Sequence, residues 1–123
     1  MRIVIPINPI TKKNSQQLVR AGGRYIPIPS KQYKAYEQAC ARFMPKLEEP
    51  IHDLVNIKAV FYMSTHRRVD LVNLQEAALD VLVKYKVIAD DNCNIVASMD
   101  GSRVDYDREN PRTEIEIEKV REE

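Results

Sequence analysis

Residues 67–74 read Arg-Arg-Val-Asp-Leu-Val-Asn-Leu, and residues 90–92 read Asp-Asp-Asn. Between these two segments the apolar residues recur at helical spacing, so we predict a helix over 71–84 with Asp70 as its N-cap. The polar loop before this helix follows a stretch over 53–63 in which apolar residues alternate, as they do in a strand. A strand, a polar loop and an apolar helix in this order determine the fold class that we assign.

The predicted helix is apolar on two sides. One stripe consists of Leu71, Leu74, Ala78, Val81, Leu82 and Tyr85. The second stripe consists of Val72, Leu79 and Val83, and the polar remainder is Asn73, Glu76, Asp80 and Lys84. A helix with two apolar sides is buried on two sides. We therefore expect one side to pack on the sheet and the other to be available to a second subunit.

The rest of the chain supplies further strands and one more helix. Alternating apolar residues predict a first strand over 2–7 and a hairpin around Ala21-Gly22-Gly23. Ser30 is a good N-cap for a helix from residue 31 to between 44 and 47, which Pro45 can end early. Two last strands are predicted over 94–99 and 113–120, with a charged loop over 100–111. This order indicates an α+β fold, in which a single domain over residues 1–123 has a mixed β-sheet with two main helices.

Length and composition restrict the class of protein. A chain of 123 residues has the length of one domain, and its 44% hydrophobic and 30% charged residues suit a globular protein. No stretch approaches the roughly 20 apolar residues of a membrane span. The N-terminus lacks the apolar core of a signal peptide. We expect a cytoplasmic protein with no membrane partner, in which Cys40 and Cys93 remain reduced and structural.

The small net charge of +1 conceals an asymmetry along the chain. Residues 1–46 hold nine Lys or Arg and one acidic residue, which gives +8, whereas residues 47–123 hold ten Lys or Arg and seventeen acidic residues, which gives −7. A basic half suits phosphate binding and an acidic half suits metal binding. The alternative is that the two halves interleave in the fold and neutralise each other.

Carboxylates stand at both ends of the predicted helix, Asp70 before it and Asp90 and Asp91 after it. Carboxylate oxygens bind Mg²⁺ and arginines bind phosphate, so these acids with Arg67 and Arg68 predict metal-assisted chemistry on a nucleic acid. The ends of a 14-residue helix lie ~20 Å apart, so the acids can share an ion only if the chain turns back after the helix. The simpler interpretation makes Asp70 a helix cap and the other two solvated loop residues.

Other kinds of site are excluded by residue type. A calcium-binding loop that began at Asp90 would need Gly at its sixth position and Glu at its twelfth, where the sequence has Ile95 and Gly101. The sequence contains no glycine-rich phosphate-binding motif. His52 and His66 have no partner at metal-ligand spacing, and we assign them no role.

The helix and the acids after it resemble a known block of sequence. Residues 70–80 read Asp-Leu-Val-Asn-Leu-Gln-Glu-Ala-Ala-Leu-Asp, and residues 87–91 read Val-Ile-Ala-Asp-Asp. This block resembles the active site of the RusA family of Holliday-junction resolvases, which reads Asp-Leu-Asp-Asn-Leu-x-Lys, then an apolar helix with an Asp near its end, then Asp-Asp. Asn-Pro-Ile-Thr-Lys-Lys at 8–13 and Ser-Lys-Gln-Tyr at 30–33 fall where the family has a Pro- and Lys-containing loop and the start of its first helix.

The resemblance implies a RusA-like fold and a specific activity. Members of that family are small homodimeric Mg²⁺-dependent endonucleases, often from phages, that cut four-way DNA junctions in recombination and repair. It implies Asp70 and Asp91 as catalytic metal ligands, with Asp90 as a neighbouring candidate, and Mn²⁺ as a possible substitute for Mg²⁺.

Two positions depart from the family pattern. Val72 occupies the position of the second metal ligand, and Glu76 occupies the position of the lysine. Because Val72 and Glu76 are one turn apart on the same face, ~5–6 Å between their Cβ atoms, Glu76 can take over as a catalytic metal ligand. We expect such a Glu to be buried beside Asp70 and Asp91, where like-charge repulsion requires a cation. The alternative is a decayed site that binds DNA without cutting it.

We expect the basic half and the residues around the metal to bind DNA. The candidates are Lys12, Lys13, Arg20, Arg24, Lys31, Arg67, Arg68, Asn73 and Lys84. Arg67, Arg68, Lys84 or Lys86 are candidates to replace the missing lysine. Three functions of different classes remain: a junction-selective endonuclease, a DNA-binding protein without catalysis, and a protein-interaction domain that uses the second apolar stripe.

Overall fold

A computed structural model describes residues 1–12 and 16–120 of the chain. Its strands are β1 (Arg2–Ile5), β2 (Gln16–Ala21), β3 (Arg24–Pro29), β4 (Val55–Met63), β5 (Val96–Ser98), β6 (Arg103–Tyr106) and β7 (Arg112–Lys119). Helix α1 spans Lys31–Cys40 and continues into a single 3-10 turn, Ala41–Phe43, whereas helix α2 spans Leu71–Lys84. The bounds of α2 are those that its apolar spacing predicts.

Strand β4 is the centre of a mixed sheet. It pairs antiparallel with β7, which in turn pairs antiparallel with β1. On its other edge β4 pairs in parallel with β5 at its start and with β6 at its end. Strands β2 and β3 form a separate antiparallel hairpin. The prediction of an α+β fold with a mixed sheet and two helices is confirmed.

The core lies between this sheet and the two helices. Register pairs such as Ile57 with Ile117 and Ala59 with Ile115 direct apolar side chains to one face, where they are buried. Helix α2 contributes Leu74, Ala77, Ala78, Val81 and Leu82, and α1 contributes Tyr33, Tyr36 and Cys40. Alternation along β7 leaves its glutamates on the opposite face, as expected for a sheet that is covered on one side.

The second apolar stripe of α2 is divided between core and solvent. Leu79 and Val83 are half-buried and pack against the core, whereas the Val72 side chain is 62% exposed. Neither cysteine is in a disulfide; Cys40 is buried and Cys93 is exposed.

The prediction of a charged loop over 100–111 is wrong for residues 103–106, which form strand β6. Its residues pair in parallel with the last four residues of β4, starting from Val60 opposite Arg103. A turn with Gly101 at a φ of +86° separates β5 from β6. Both strands pair with the same edge of β4, one after the other. The sequence does not indicate β6, because its residues are charged and its pairing partner lies about forty residues away in the chain.

Helix α1 is shorter than its apolar spacing indicates. It ends at Cys40, and the amide of Met44 already bonds the carbonyl of Ala41 in a 3-10 turn, 3.3 Å between N and O. Pro45 has no N–H to continue the helix, which explains the early end. The first strand also ends early, at Ile5 instead of residue 7.

The end of α2 has a tight reversal of the chain. The Val87 amide bonds the Leu82 carbonyl at 2.9 Å and the Lys86 amide bonds the Val83 carbonyl at 3.1 Å, which together form a Schellman motif. Lys86 stands at the left-handed position with a φ of 58°. Residues 87–89 then run beside Ile51, whose amide bonds the Val87 carbonyl. The chain thus turns back after α2, as a shared site would require.

The left-handed Lys86 gives a test of this reversal. A side chain with Cβ costs roughly 1–2 kcal/mol in this conformation and glycine avoids that cost, although it adds entropy to the unfolded chain. We expect Lys86→Gly to raise the free energy of unfolding by about 0.5–1 kcal/mol in urea titrations. The control Lys34→Gly, at an exposed position inside α1, should lower it by about 1 kcal/mol. Equal losses in both variants would contradict the motif.

Candidate active site

Asp70 is the N-cap residue of α2, but its carboxylate does not cap the helix. Its backbone is extended, with φ −92° and ψ 125°, and its carbonyl accepts the first helical bond, from the Leu74 amide. The side chain bonds no backbone amide of the helix and instead accepts a hydrogen bond of 3.4 Å from Asn73 Nδ2. The exposed carboxylate therefore lies at the N-terminus of α2, the positive end of the helix dipole.

Asn73 holds this carboxylate from inside the protein. We predicted it on the polar face of α2, which is wrong, because Asn73 is buried at 8% exposure. A buried amide needs a hydrogen-bond partner, and the Asp70 carboxylate is one. Asn73 is therefore placed to fix the orientation of Asp70, and a role for it in DNA binding stays a prediction.

The loop between β4 and α2 forms one wall of a cleft. This loop, residues 64–69, is called the arginine loop, and its residues on the wall are Ser64, Thr65, Arg67, Arg68 and Val69. Met63, Gln32 and residues 8–11, which belong to the N-terminal loop after β1, form the rest of the lining. The cleft encloses about 760 Å³. The Ser64 amide bonds Asn8 Oδ1 at 3.2 Å, so the N-terminal loop and the arginine loop are joined directly. The cleft is lined with polar groups and two arginines, and its wall ends at Val69, next to Asp70.

A second set of carboxylates lies along α2. The pKa of Asp80 is raised, first by burial and then by the charges of Asp91, Glu37 and Glu76, while Lys12 acts in the opposite direction. These charges are therefore near one another in space. The fold thus brings Asp91 and Glu76 into one neighbourhood, through Asp80, and leaves Asp70 at the start of the helix.

Asp90 organises its own loop. Its two carboxylate oxygens accept bonds from the Asp91 amide at 2.7 Å and from Asn92 Nδ2 at 3.3 Å. Asn92 Oδ1 in turn accepts from the Asn94 amide at 3.0 Å. Asp91 is exposed between these residues. The loop is thus built by Asp90 and Asn92, which present Asp91 to solvent.

The described residues hold no group of three or more His, Cys, Asp or Glu side chains arranged to bind a metal ion. In particular Asp70, Glu76 and Asp91 do not converge within one chain. Glu76 is exposed, so the expectation that it is buried beside the two aspartates is wrong. Because Glu76 is exposed, its charge is solvated, and like-charge repulsion with the aspartates does not require a cation beside it.

Comparison with protein families identifies the chain. A family model described as endodeoxyribonuclease RusA matches residues 6–118. The chain belongs to the RusA endodeoxyribonuclease family. No curated protein matches the chain. None of the helices within 1–12 and 16–120 is long and apolar enough to span a membrane.

The basic residues of this RusA-family protein are dispersed around the site. Arg67 and Arg68 are exposed on the cleft wall, and Lys31 is exposed at the start of α1 beside Gln32. Arg20 and Arg24 are exposed next to the turn of the hairpin, where Ala21 pairs with Arg24. Lys13 lies outside the described residues.

Two other predicted cations have acidic neighbours. Lys84, at the opposite end of α2 from Asp70, forms an ion pair with Glu37 of α1, which raises the pKa of Lys84. The charge of Lys12 offsets part of the rise in the pKa of Asp80. Lys84 therefore joins the two helices of the RusA fold, and Lys12 faces the carboxylates of α2 as well as solvent.

Sequence reasoning missed Asp80 as a member of the acidic group. The signal for it was present, because Asp80 follows Glu76 by four residues and the two share a helix face. It also missed the position of Tyr106, whose ring stacks on His66 at the edge of the arginine loop. That contact joins residues forty positions apart, and no local pattern predicts it.

The raised pKa of Asp80 predicts a pH-dependent stability. The unfolded group titrates near 3.8 and the folded group titrates higher. Ionisation therefore opposes folding as the pH rises through the folded pKa, and this opposition is absent below 3.8. We expect Asp80→Asn to raise the melting temperature at pH 7 and to leave it unchanged near pH 3. Glu109→Gln, the same charge change on an exposed loop, serves as the control and should leave both values unchanged.

Proposed function

We propose that this protein is a metal-dependent endonuclease that cuts branched DNA and resolves four-way junctions in recombination or repair. The observation that carries the proposal is that the wall of the arginine-lined cleft ends at Val69, directly before Asp70 at the N-terminus of α2. Arginines and a helix N-terminus attract phosphate, and a carboxylate beside them can bind a cation that bridges to the same phosphate. Residues 1–123 would act as one RusA-like unit in the cytoplasm.

Mg²⁺, with Mn²⁺ as a substitute, is the cation that the carboxylate donors suit best. The described donors do not gather into a three-carboxylate site, but Mg²⁺ is commonly held by one or two carboxylates together with substrate phosphates and water. We infer that Asp70 and Asp91 are the principal ligands, with Glu76 and Asp90 as secondary candidates. A bound divalent cation would supply a water of lowered pKa and a polarised phosphate.

The residues of the chain would perform the other steps. Arg67 and Arg68 bind the phosphates on either side of the scissile bond and hold the strand against the cleft wall. Asn73 keeps the Asp70 carboxylate directed away from the helix amides through its 3.4 Å hydrogen bond. Lys12, whose charge acts on Asp80 of α2, is a candidate to replace the positive charge of the family lysine, because position 76 is Glu in this chain.

Substitution of the two aspartates tests the proposal. We expect Asp70→Asn and Asp91→Asn each to slow Mg²⁺-dependent cleavage of a synthetic four-way junction about a hundredfold or more, because each removes a ligand. Junction binding in EDTA should be equal or tighter, since less negative charge then faces the phosphates. Electron paramagnetic resonance of Mn²⁺ with the junction should show weaker metal binding. Wild-type cleavage by either variant would remove that residue from the ligand set.

The function of Glu76 distinguishes an active site from a decayed one. If Glu76 has taken the ligand role, Glu76→Gln lowers cleavage by about a hundredfold and raises the Mg²⁺ concentration required. If the site has decayed, the wild type binds junctions without cutting them, and only Val72→Asp combined with Glu76→Lys gains cleavage. Cleavage by the wild type that is unchanged in Glu76→Gln would eliminate Glu76 as a ligand while leaving Asp70 and Asp91 in place.

We further propose that the protein is a homodimer. A four-way junction is two-fold symmetric, so paired cuts require two active sites related by the same symmetry. The exposed Val72, together with the outer edges of Leu79 and Val83, is an apolar strip on α2 that a second copy can cover. We expect light scattering at micromolar concentration to give twice the chain mass, and Val83→Asp to reduce it. A monomer that still makes paired cuts would contradict this.

A further inference from the structure

His66 and Tyr106 form a stacked aromatic pair on the surface. Their ring centroids lie 3.7 Å apart and their planes are inclined by 29°. Tyr106 is 43% exposed, and His66 is also exposed. Two stacked rings bury the faces that they turn to each other, so the surface that stays accessible lies on their outer faces and edges.

The patch is fixed to the arginine loop and to the central strand. Tyr106 ends β6 and pairs with Met63, the last residue of β4, and the next amide, of Asp107, bonds the Met63 carbonyl at 2.9 Å. His66 comes directly before Arg67, whose amide bonds Thr65 Oγ1 at 3.4 Å. The stack therefore sits at the end of the β4–β6 pairing, and its His66 directly precedes in sequence the two arginines that line the cleft.

We propose that the His66–Tyr106 stack is a platform for an unpaired nucleobase at the branch point of the DNA substrate. The inference rests on the proposed function, because it requires DNA in the cleft. Exposed aromatic rings next to cationic side chains are the combination by which proteins bind unpaired bases, with the rings stacking on the base and the cations binding its phosphates. Arg67 and Arg68, which directly follow His66 in the chain, would supply those cations.

A platform of this kind would make the protein selective for DNA structure. Every base has a flat face, so stacking tolerates any sequence. In continuous duplex DNA each base is already stacked and paired, and extracting one costs energy. At a branch or in a single strand a base is easily displaced. The platform therefore favours branched or single-stranded DNA over duplex, without reading the sequence.

A purely structural role for the stack has different requirements. To hold the arginine loop against β6, the contact needs apolar surface but no aromatic face, so leucine at position 106 would suffice. Tyr106→Leu keeps the apolar contact and removes the ring, whereas Tyr106→Phe keeps the ring and removes only the hydroxyl. The two variants thus separate stacking on DNA from packing within the protein.

The test measures binding of the full chain in EDTA to three probes: a four-way junction with 2-aminopurine at the branch point, single-stranded oligothymidine, and a matched duplex. We expect Tyr106→Leu to bind the first two probes about tenfold more weakly and the duplex with unchanged affinity. We also expect it to lose the 2-aminopurine quenching that the wild type gives. Tyr106→Phe should behave as the wild type, and all three proteins should have similar melting temperatures.

Three results would overturn the inference. Equal affinities of wild type and Tyr106→Leu for the junction, with the quenching retained, would eliminate the platform and leave the proposed function intact. A uniform loss on all three probes with a lower melting temperature would make the stack a structural clamp. Failure of the wild type to bind any of the three probes would overturn the proposed function itself and the platform with it.

Discussion

The pairing of β4 with β7 on one edge and with β5 and β6 on the other is the constraint on which the site depends. The β4–β7 register runs over eight residue pairs and buries alternate side chains of both strands. The β4–β6 pairing ends at Met63 and Tyr106, and so fixes where the arginine loop begins. Because this loop leads directly into α2, the position of Asp70 follows from the end of β4.

The same sheet explains how the two halves of the sequence are combined. Residues 1–46 are basic and residues 47–123 are acidic, yet β1 from the first half pairs with β7 from the second. Arg2 and Glu114 form an ion pair across that boundary, as do Lys84 and Glu37. The halves therefore interleave in part, which was the simpler of the two interpretations. Among the cations predicted to bind DNA, exposed ones lie in the hairpin, at the start of α1 and in the arginine loop.

How far the sequence predicts each element depends on whether its cause is local. Helix α2 was predicted to the residue because its apolar period is strong and Asp70 precedes it. Strand β6 was missed because its pairing with β4 is a long-range interaction that its charged residues do not indicate. Asp70 was placed correctly at the helix start, but the choice of Asn73 over a backbone amide as its partner depends on packing around α2. The effect of the Asp91 charge on the pKa of Asp80 depends on the chain reversal at Lys86, a left-handed position where the sequence has no glycine to indicate a turn.

The two departures from the family pattern are best understood together. The RusA pattern provides an aspartate and a lysine one turn apart, where this chain has Val72 and Glu76. The number of carboxylates is therefore unchanged, one carboxylate has moved by a turn, and one positive charge has been lost. Glu76 shares its neighbourhood with Asp80 and Asp91, and Lys12 is the cation whose field acts on Asp80 there. A positive charge from the N-terminal loop thus stands near the acidic group of α2 in place of one from the helix itself. Because Ser64 binds Asn8 in the same N-terminal loop, a displacement of the arginine loop by DNA would also displace the chain that carries Lys12.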